Sequence, residues 1–238
     1  MAFIEDYKAH IAERETLGVP PLPLTAEQTA EVVELIKSNC TNELLDLLTN
    51  RVSPGVDDAA YVKAAFLKDV AAQNITIDAI APEQAVSMLG MMLGGYNVKP
   101  MIDSLTSNND KVVAAAIEAL SRTLLVYDAF NDVEELHKAG NAAATEVMTS
   151  WANADWFTSK PELAAEITVT VYKVPGETNT DDLSPASEAF TRSDIPVHAN
   201  SFLVNKMDDP INTLNKLKEL GHPISYVGDV VGTGSSRK

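Results

Sequence analysis

Six residues, Gly232-Thr233-Gly234-Ser235-Ser236-Arg237, combine side chains that hold an anion and act on it. The glycines let the backbone approach a ligand closely. Two hydroxyls and a guanidinium follow them. A helix opening after Gly234 would point free N–H groups at a negative charge. Arg237 would grip a carboxylate or phosphate through two parallel hydrogen bonds. The spacing is not that of a P-loop, which needs Gly-Lys-Ser/Thr. It is not G-x-G-x-x-G either, because Arg237 takes the last place. The competing reading is a flexible turn.

A second stretch, Gly176-Glu177-Thr178-Asn179-Thr180-Asp181-Asp182-Leu183-Ser184-Pro185, is dense in capping and turn-forming side chains. By residue type it reads as a hydrogen-bonded surface loop. Asp181 and Asp182 could also face a cation, but two adjacent carboxylates are a weak metal signal. Arg192, one of two arginines after residue 160 along with Arg237, sits in a Ser-Asp-Ile-Pro context and by itself reads as a surface residue. His10, His137, His198 and His222 show no metal-ligand spacing. Cys40, the single cysteine, excludes an internal disulfide framework and a cysteine-only metal site built from this sequence. No nucleophile-elbow motif supports a Ser-His-Asp triad. Met88, Met91, Met92 and Leu93 read as core rather than as a cofactor box.

Two kinds of segment must position these residues. The first 160 residues predict about nine short helices. A capping box, Thr25-Ala26-Glu27-Gln28, opens one of them. Asp57-Asp58 begins another, to about Gln73, and Pro82 starts one over 82–93. Val113, Ala116, Ile117, Leu120, Leu124 and Tyr127 recur at spacings of three and four over 110–127, and residues 141–158 read as one helix. An amphipathic pattern over 3–16 puts Phe3, Tyr7, Ile11 and Ala12 on one side. Short connections and almost no strand signal suggest an α-solenoid or an irregular bundle. After Pro161 the pattern changes. Residues 167–174, ITVTVYKV, alternate as a strand, 209–220 read as a helix, and Ile224 to Val231 as a second strand. The domain boundary falls near residue 160. The last 78 residues read as an incomplete α/β or β-rich piece, with Val227, Val230 and Val231 expected to lie exposed or unpaired.

Charge narrows the classes further. Among 238 residues, 18 Lys and Arg face 34 Asp and Glu, a net charge of −16. Residues 1–160 hold 11 basic and 23 acidic side chains, and residues 161–238 hold 7 and 11. Such a chain repels phosphate backbones and anionic membrane surfaces overall. The first residues carry charges throughout and make no signal peptide, and no apolar stretch approaches the ~20 residues of a membrane span.

Taken together, long strings of this sequence resemble the bacterial aconitate hydratase B family of bifunctional aconitases and 2-methylisocitrate dehydratases. The strings are LLDLLTNRVSPGVDDAAYVKAAFL at 44–67, GGYNVKPMIDSL at 94–105, SWANADWF at 150–157, TVTVYKVPGETNTDDLSPA at 168–186, RSDIPVHA at 192–199 and YVGDVVGTGSSRK at 226–238. The resemblance runs end to end. It implies a multidomain α plus α/β architecture: an all-α HEAT-like helical domain at 1–160, then an incomplete aconitase swivel domain of β/α type at 161–238. Family chains are several-fold longer, so the sequence is expected to be an N-terminal fragment.

The resemblance also implies roles. The family is a hydro-lyase of the tricarboxylic acid cycle, interconverting citrate and isocitrate through cis-aconitate. Its 4Fe–4S cluster acts as Lewis acid from later domains. Ser235 falls on the position of the catalytic base, and Arg192, Ser235, Ser236 and Arg237 on substrate-binding positions. Asp181, Asp182 and Ser184 fall on a supporting segment. No residue here falls on a metal-ligand position, so the 238 residues alone are expected to bind no cluster and to turn nothing over. Further partners implied are a homodimer formed through the helical domain and mRNA in a regulatory role, in a cytoplasmic setting without membrane contact. The stretch 200–222 is shorter than in the family. The alternative from a different class is a stand-alone helical protein-interaction or RNA-regulatory module without catalysis.

Overall fold

The computed structural model describes residues 2–123, 127–192 and 194–234. Helices predominate, with one two-stranded parallel sheet among the described residues. By its contacts the chain divides into residues 22–161 and a second unit made of 162–238 together with 1–21.

The unit at 22–161 holds α2 (Ala26–Asn39), α3 (Asn42–Asn50), α4 (Asp58–Ala71), α5 (Pro82–Gly90), α6 (Val98–Ser104), α7 (Asp110–Ser121), α8 (Tyr127–Lys138), α9 (Ala142–Asn153) and α10 (Asp155–Thr158). The capping box forms as expected: Gln28 N–H donates to Thr25 Oγ1 at 3.3 Å and Thr25 N–H to Gln28 Oε1 at 2.9 Å. Helices pack mainly on near neighbours in sequence, α2 on α4, α4 on α5, α5 on α7 and α7 on α9. Val32, Leu48, Leu67, Val86, Leu89, Met101, Leu120 and Val147 are fully or almost fully buried between them. That apolar burial is the main stabilising contribution of this unit.

Three helix ends differ from the sequence expectation, each for a local reason. α5 stops at Gly90 because the buried Asn97 amide donates to the carbonyls of Leu89 at 2.8 Å and Met92 at 2.9 Å. Met92 is accordingly buried, whereas Met91 and Leu93 are exposed. α7 ends at Ser121, and the Thr123 hydroxyl closes its last turn on the Ala119 carbonyl at 2.8 Å. Leu124 lies outside the described residues. The expected 141–158 helix breaks at Ala154, whose φ of 52° is left-handed and splits it into α9 and α10.

The other unit holds α1 (Ala2–Thr16), β1 (Thr170–Asn179), α11 (Thr180–Leu183), a 3-10 turn (Ala186–Glu188), α12 (Ile195–Ala199), α13 (Pro210–Lys218) and β2 (Ile224–Thr233). β1 and β2 are parallel, paired from Thr170 opposite Ile224 to Asn179 opposite Thr233, with register shifts between Val174 and Glu177 and between Thr178 and Asn179. Parallel neighbours need a crossover, which α11 to α13 supply. Tyr172, Val174 and Leu203 form the buried centre, with Leu183, Phe202, Met207, Leu214, Leu217, Ile224 and Tyr226 packed on it. β1 starts later than the alternating pattern and runs on, past a bulge at Val174–Glu177, into the polar stretch expected as a loop. β2 continues to Thr233 and offers that stretch a backbone partner.

Candidate functional site

Because β1 and β2 are parallel, their carboxyl ends lie at the same edge of the sheet. Ligands of open parallel sheets bind at that edge. β1 delivers Asn179 there, and β2 delivers Gly232-Thr233-Gly234. The two stretches singled out by composition, more than 50 residues apart, therefore meet.

Asn179 ends β1 and caps α11. Its Oδ1 accepts from the N–H groups of Asp181 at 2.8 Å and Asp182 at 3.0 Å, while Asp182 Oδ2 accepts from Asn179 N–H at 3.0 Å. The Asp182 carboxylate also lies 3.6 Å from Lys206 Nζ, and its carbonyl accepts from Leu203 N–H at 2.8 Å. Leu203 holds a left-handed φ of 58° although fully buried. Packing and that hydrogen bond must offset a backbone strain of about 1 kcal/mol or more. Asp182 is thus committed to holding the loop. Asp181 Oδ1 accepts from Ala186 N–H at 3.5 Å.

The loop lies directly against the glycine turn. Gly234 has φ of +93°, and a Cβ built there would stand 3.1 Å from Thr180 Oγ1. The position needs glycine for its backbone and is tight besides. Thr180 Oγ1 is buried with no hydrogen-bond partner among the described residues. Thr233 Oγ1 donates to Glu177 Oε1 at 2.6 Å, and Tyr226 O–H donates to the buried Thr178 hydroxyl at 2.7 Å. On the exposed side of β1, Lys173 Nζ and Gly176 N–H both donate to Asp229, which holds that carboxyl below the ordinary carboxylate range, Lys173 being the larger cause.

Arg192 lies between the 3-10 turn and α12. Its Nε donates to Glu188 Oε2 at 3.1 Å and its NH1 to the Val197 carbonyl at 3.4 Å. A third of its side chain is exposed. Ser184 Oγ, at the end of the loop, lies 2.9 Å from His198 Nε2 in α12. The structure therefore ties the Asp181–Ser184 segment to α12 on one side and to Gly234 on the other. Ser235, Ser236 and Arg237 lie outside the described residues. In the sequence Thr180 reads as one more turn residue of its stretch and His198 as an isolated histidine; the fold sets the first against Gly234 and the second against Ser184.

An iron–sulfur cluster finds no ligand set here. Such clusters are held by several cysteine thiolates. The chain has one cysteine, Cys40, whose thiol burial pushes up, away from the thiolate form. No group of three or more His, Cys, Asp or Glu that could hold a metal occurs among the described residues.

Comparison with known proteins covers both units. The family described as Aconitate B N-terminal domain matches residues 6–157, and Aconitate hydratase 2 N-terminus matches residues 169–238. Aconitate hydratase B of Synechocystis sp. is 53% identical over 238 residues, covering 99% of this chain and 27% of the relative. Aconitate hydratase B of Escherichia coli is 52% identical over 248 residues, covering 99% and 28%. That of Helicobacter pylori is 49% identical over 238 residues, covering 99% and 28%. The chain thus spans little more than a quarter of the length of these curated relatives. No helix among the described residues is long and apolar enough to cross a membrane.

Proposed function

Since the chain belongs to the aconitate hydratase B family, we propose that it is the N-terminal portion of a hydro-lyase that interconverts citrate and isocitrate through cis-aconitate. One observation carries the reading to this chain's own residues. The parallel strand pair brings Asn179–Ser184 against Gly234, immediately before Ser235-Ser236-Arg237. That is where a parallel sheet presents a ligand.

In this reading Ser235 takes the carbon-bound proton. Arg192, Ser235, Ser236 and Arg237 hold the substrate. Asp181, Asp182 and Ser184 support the loop beside it, in keeping with the hydrogen bonds that already occupy Asp182 and Ser184. A tricarboxylate carries about three negative charges at neutral pH, so a chain of net −16 must gather arginine locally to hold it. The Glu188 carboxylate on Arg192 Nε and the Val197 carbonyl on its NH1 orient the fork, and its remaining N–H groups would meet the substrate. The 4Fe–4S cluster would supply Lewis acidity from domains outside this chain.

The architecture we assign is a HEAT-like helical domain at 1–160, of which residues 1–21 pack with the second unit, and part of an aconitase swivel domain at 161–238. Near-neighbour packing of α2, α4, α5, α7 and α9 supports the first. For the second, Val227, Val230 and Val231 are 38%, 52% and 48% exposed, as a sheet awaiting further cover would leave them. A cytoplasmic setting goes with the family's chemistry. A stand-alone interaction or RNA-regulatory module is not favoured, because the similarity runs through both units. Homodimer formation and mRNA binding have no observation in their favour.

The test is steady-state kinetics on the full-length protein carrying this chain. Arg192→Ala should raise KM and lower kcat, each lost charge-assisted contact costing about 1.5–3 kcal/mol. Near-wild-type kinetics would remove Arg192 from the site. Ser235→Ala should abolish turnover while citrate still binds; turnover within about tenfold of wild type would overturn the base assignment. The 238 residues alone should show no turnover.

A further inference from the structure

α1 turns a charged side chain inward. Phe3 and Tyr7 are buried as their spacing predicts, but Ile11 is 37% exposed, and the buried residue one turn on is Arg14, 6% exposed. A guanidinium is almost never buried unless paired. Arg14 NH1 donates to Asp194 Oδ2 at 2.7 Å and NH2 to Asp194 Oδ1 at 3.0 Å, a two-pronged ion pair spanning 180 residues of chain. Its Nε donates to the Pro20 carbonyl at 2.9 Å. All three nitrogens are engaged.

Asp194 has a second task. It caps α12, its Oδ1 accepting from Val197 N–H at 3.0 Å. Just past the other end of α12, Asn200 Nδ2 donates to the Leu17 carbonyl at 3.0 Å. The segment 14–20 therefore grips α12 at both ends. Arg192 lies two residues before Asp194, and its NH1 donates into α12 at the Val197 carbonyl. Arg192 is referenced to α12, and α12 to Arg14.

We propose that Arg14 is a positioning residue for the anion site: its two-pronged grip on Asp194 fixes α12, and α12 fixes the guanidinium of Arg192. The proposal rests on the reading of Arg192 as a substrate-binding residue. Arginine does this where lysine would not, because a planar fork sets an angle as well as a distance. A substrate arginine held in place loses less conformational freedom when it binds. The Arg14 hydrogen bond, with a smaller contribution from Val197 N–H, holds the Asp194 carboxyl below its ordinary range, so it stays charged around neutral pH.

The experiment uses the full-length protein with Arg14→Gln, Arg14→Lys, Asp194→Asn, the Arg14→Gln/Asp194→Asn double variant and Arg192→Ala. Asn caps a helix about as well as Asp, so Asp194→Asn removes the ion pair and spares the cap. It also decides the matter should Arg14→Gln fail to fold. The readouts are KM and kcat for citrate and amide hydrogen exchange over residues 194–200. Arg14→Gln and Asp194→Asn should each raise KM about tenfold, with kcat lowered no further than by Arg192→Ala. Exchange at 194–200 should quicken in both. The double variant should be no worse than either single one, and Arg14→Lys should fall between Gln and wild type. If KM stays at the wild-type value, or kcat falls in its place, while Arg192→Ala raises KM, Arg14 is merely structural and the proposal fails alone. If Arg192→Ala also leaves KM unchanged, the site reading fails and takes the proposal with it.

Discussion

Ser184 Oγ lies 2.9 Å from His198 Nε2, joining the loop after β1 to α12 across 14 residues. His198 Nδ1 is buried without a partner among the described residues. The arrangement that orphans no N–H puts the ring proton on Nε2, which then donates to Ser184 Oγ. The serine hydroxyl keeps its own proton to donate elsewhere. This pair, with the Asp182 carbonyl on Leu203 N–H, keeps the 180–184 segment against its own unit.

His198→Phe should accordingly destabilise the unit by about 1–2 kcal/mol, the loss of one partly buried hydrogen bond. Ser184→Ala should cost a similar amount, and the double variant little more than either, since both remove the same interaction. Chemical denaturation of the four proteins closes the cycle. Strictly additive losses would mean that the two side chains stabilise the fold independently.

What the sequence made legible and what it hid divide along range of contact. The Thr25–Gln28 capping box and the helix opened by Pro82 are local and were readable from three or four neighbours. So were the two chemically loaded stretches, 176–185 and 232–237, each from its own composition. That they meet was not readable, because the register pairing Asn179 with Thr233 is a property of two strands and not of either. Arg14 shows the same limit more sharply. Position 14 falls on the Phe3 and Tyr7 face by its spacing, but an arginine is rarely buried, and only a carboxylate 180 residues away makes burying this one favourable. Resemblance to a family supplied roles for Arg192 and Ser235 that spacing alone could not.

Lys63 makes a prediction about pH in the helical unit. It is 6% exposed in α4, and its Nζ donates to the Thr49 carbonyl in the last turn of α3 at 3.3 Å. A cation suits a helix carboxyl end, but burial outweighs that contact and pulls the Lys63 amine down from 10.5 to about 8. Between those values the unfolded chain binds more protons than the folded one, so stability rises with pH from about 8 to about 10.5. The rise has an upper bound of about 3 kcal/mol, from 1.36 kcal/mol per pKa unit. Lys63→Met should remove this rise and leave the unit at least as stable at pH 7. Both tryptophans, Trp151 and Trp156, lie in this unit, so fluorescence-detected urea unfolding at pH 7 and pH 10 measures it. An unchanged pH dependence in Lys63→Met would show that the amine is solvated in the folded state.

Gly90 fixes how closely two helices of that unit approach. It ends α5 facing α7, and a Cβ there would stand 2.7 Å from Ala119 Cβ and 3.5 Å from Ala119 Cα. Neither atom can swing aside, since a methyl carbon has no rotamer to change. Gly90→Ala must therefore push α5 from α7, through a contact that buries Leu89, Val86, Ala116 and Leu120. Overpacking of this kind costs about 1–3 kcal/mol, against a helix-propensity gain from alanine of at most about 1 kcal/mol. The net expectation is destabilisation, visible as a lower denaturation midpoint with an unchanged m-value. Ala119→Gly, made in the Gly90→Ala background, should restore much of the loss by returning the missing space. A Gly90→Ala protein more stable than wild type would mean that α5 and α7 sit farther apart than these distances.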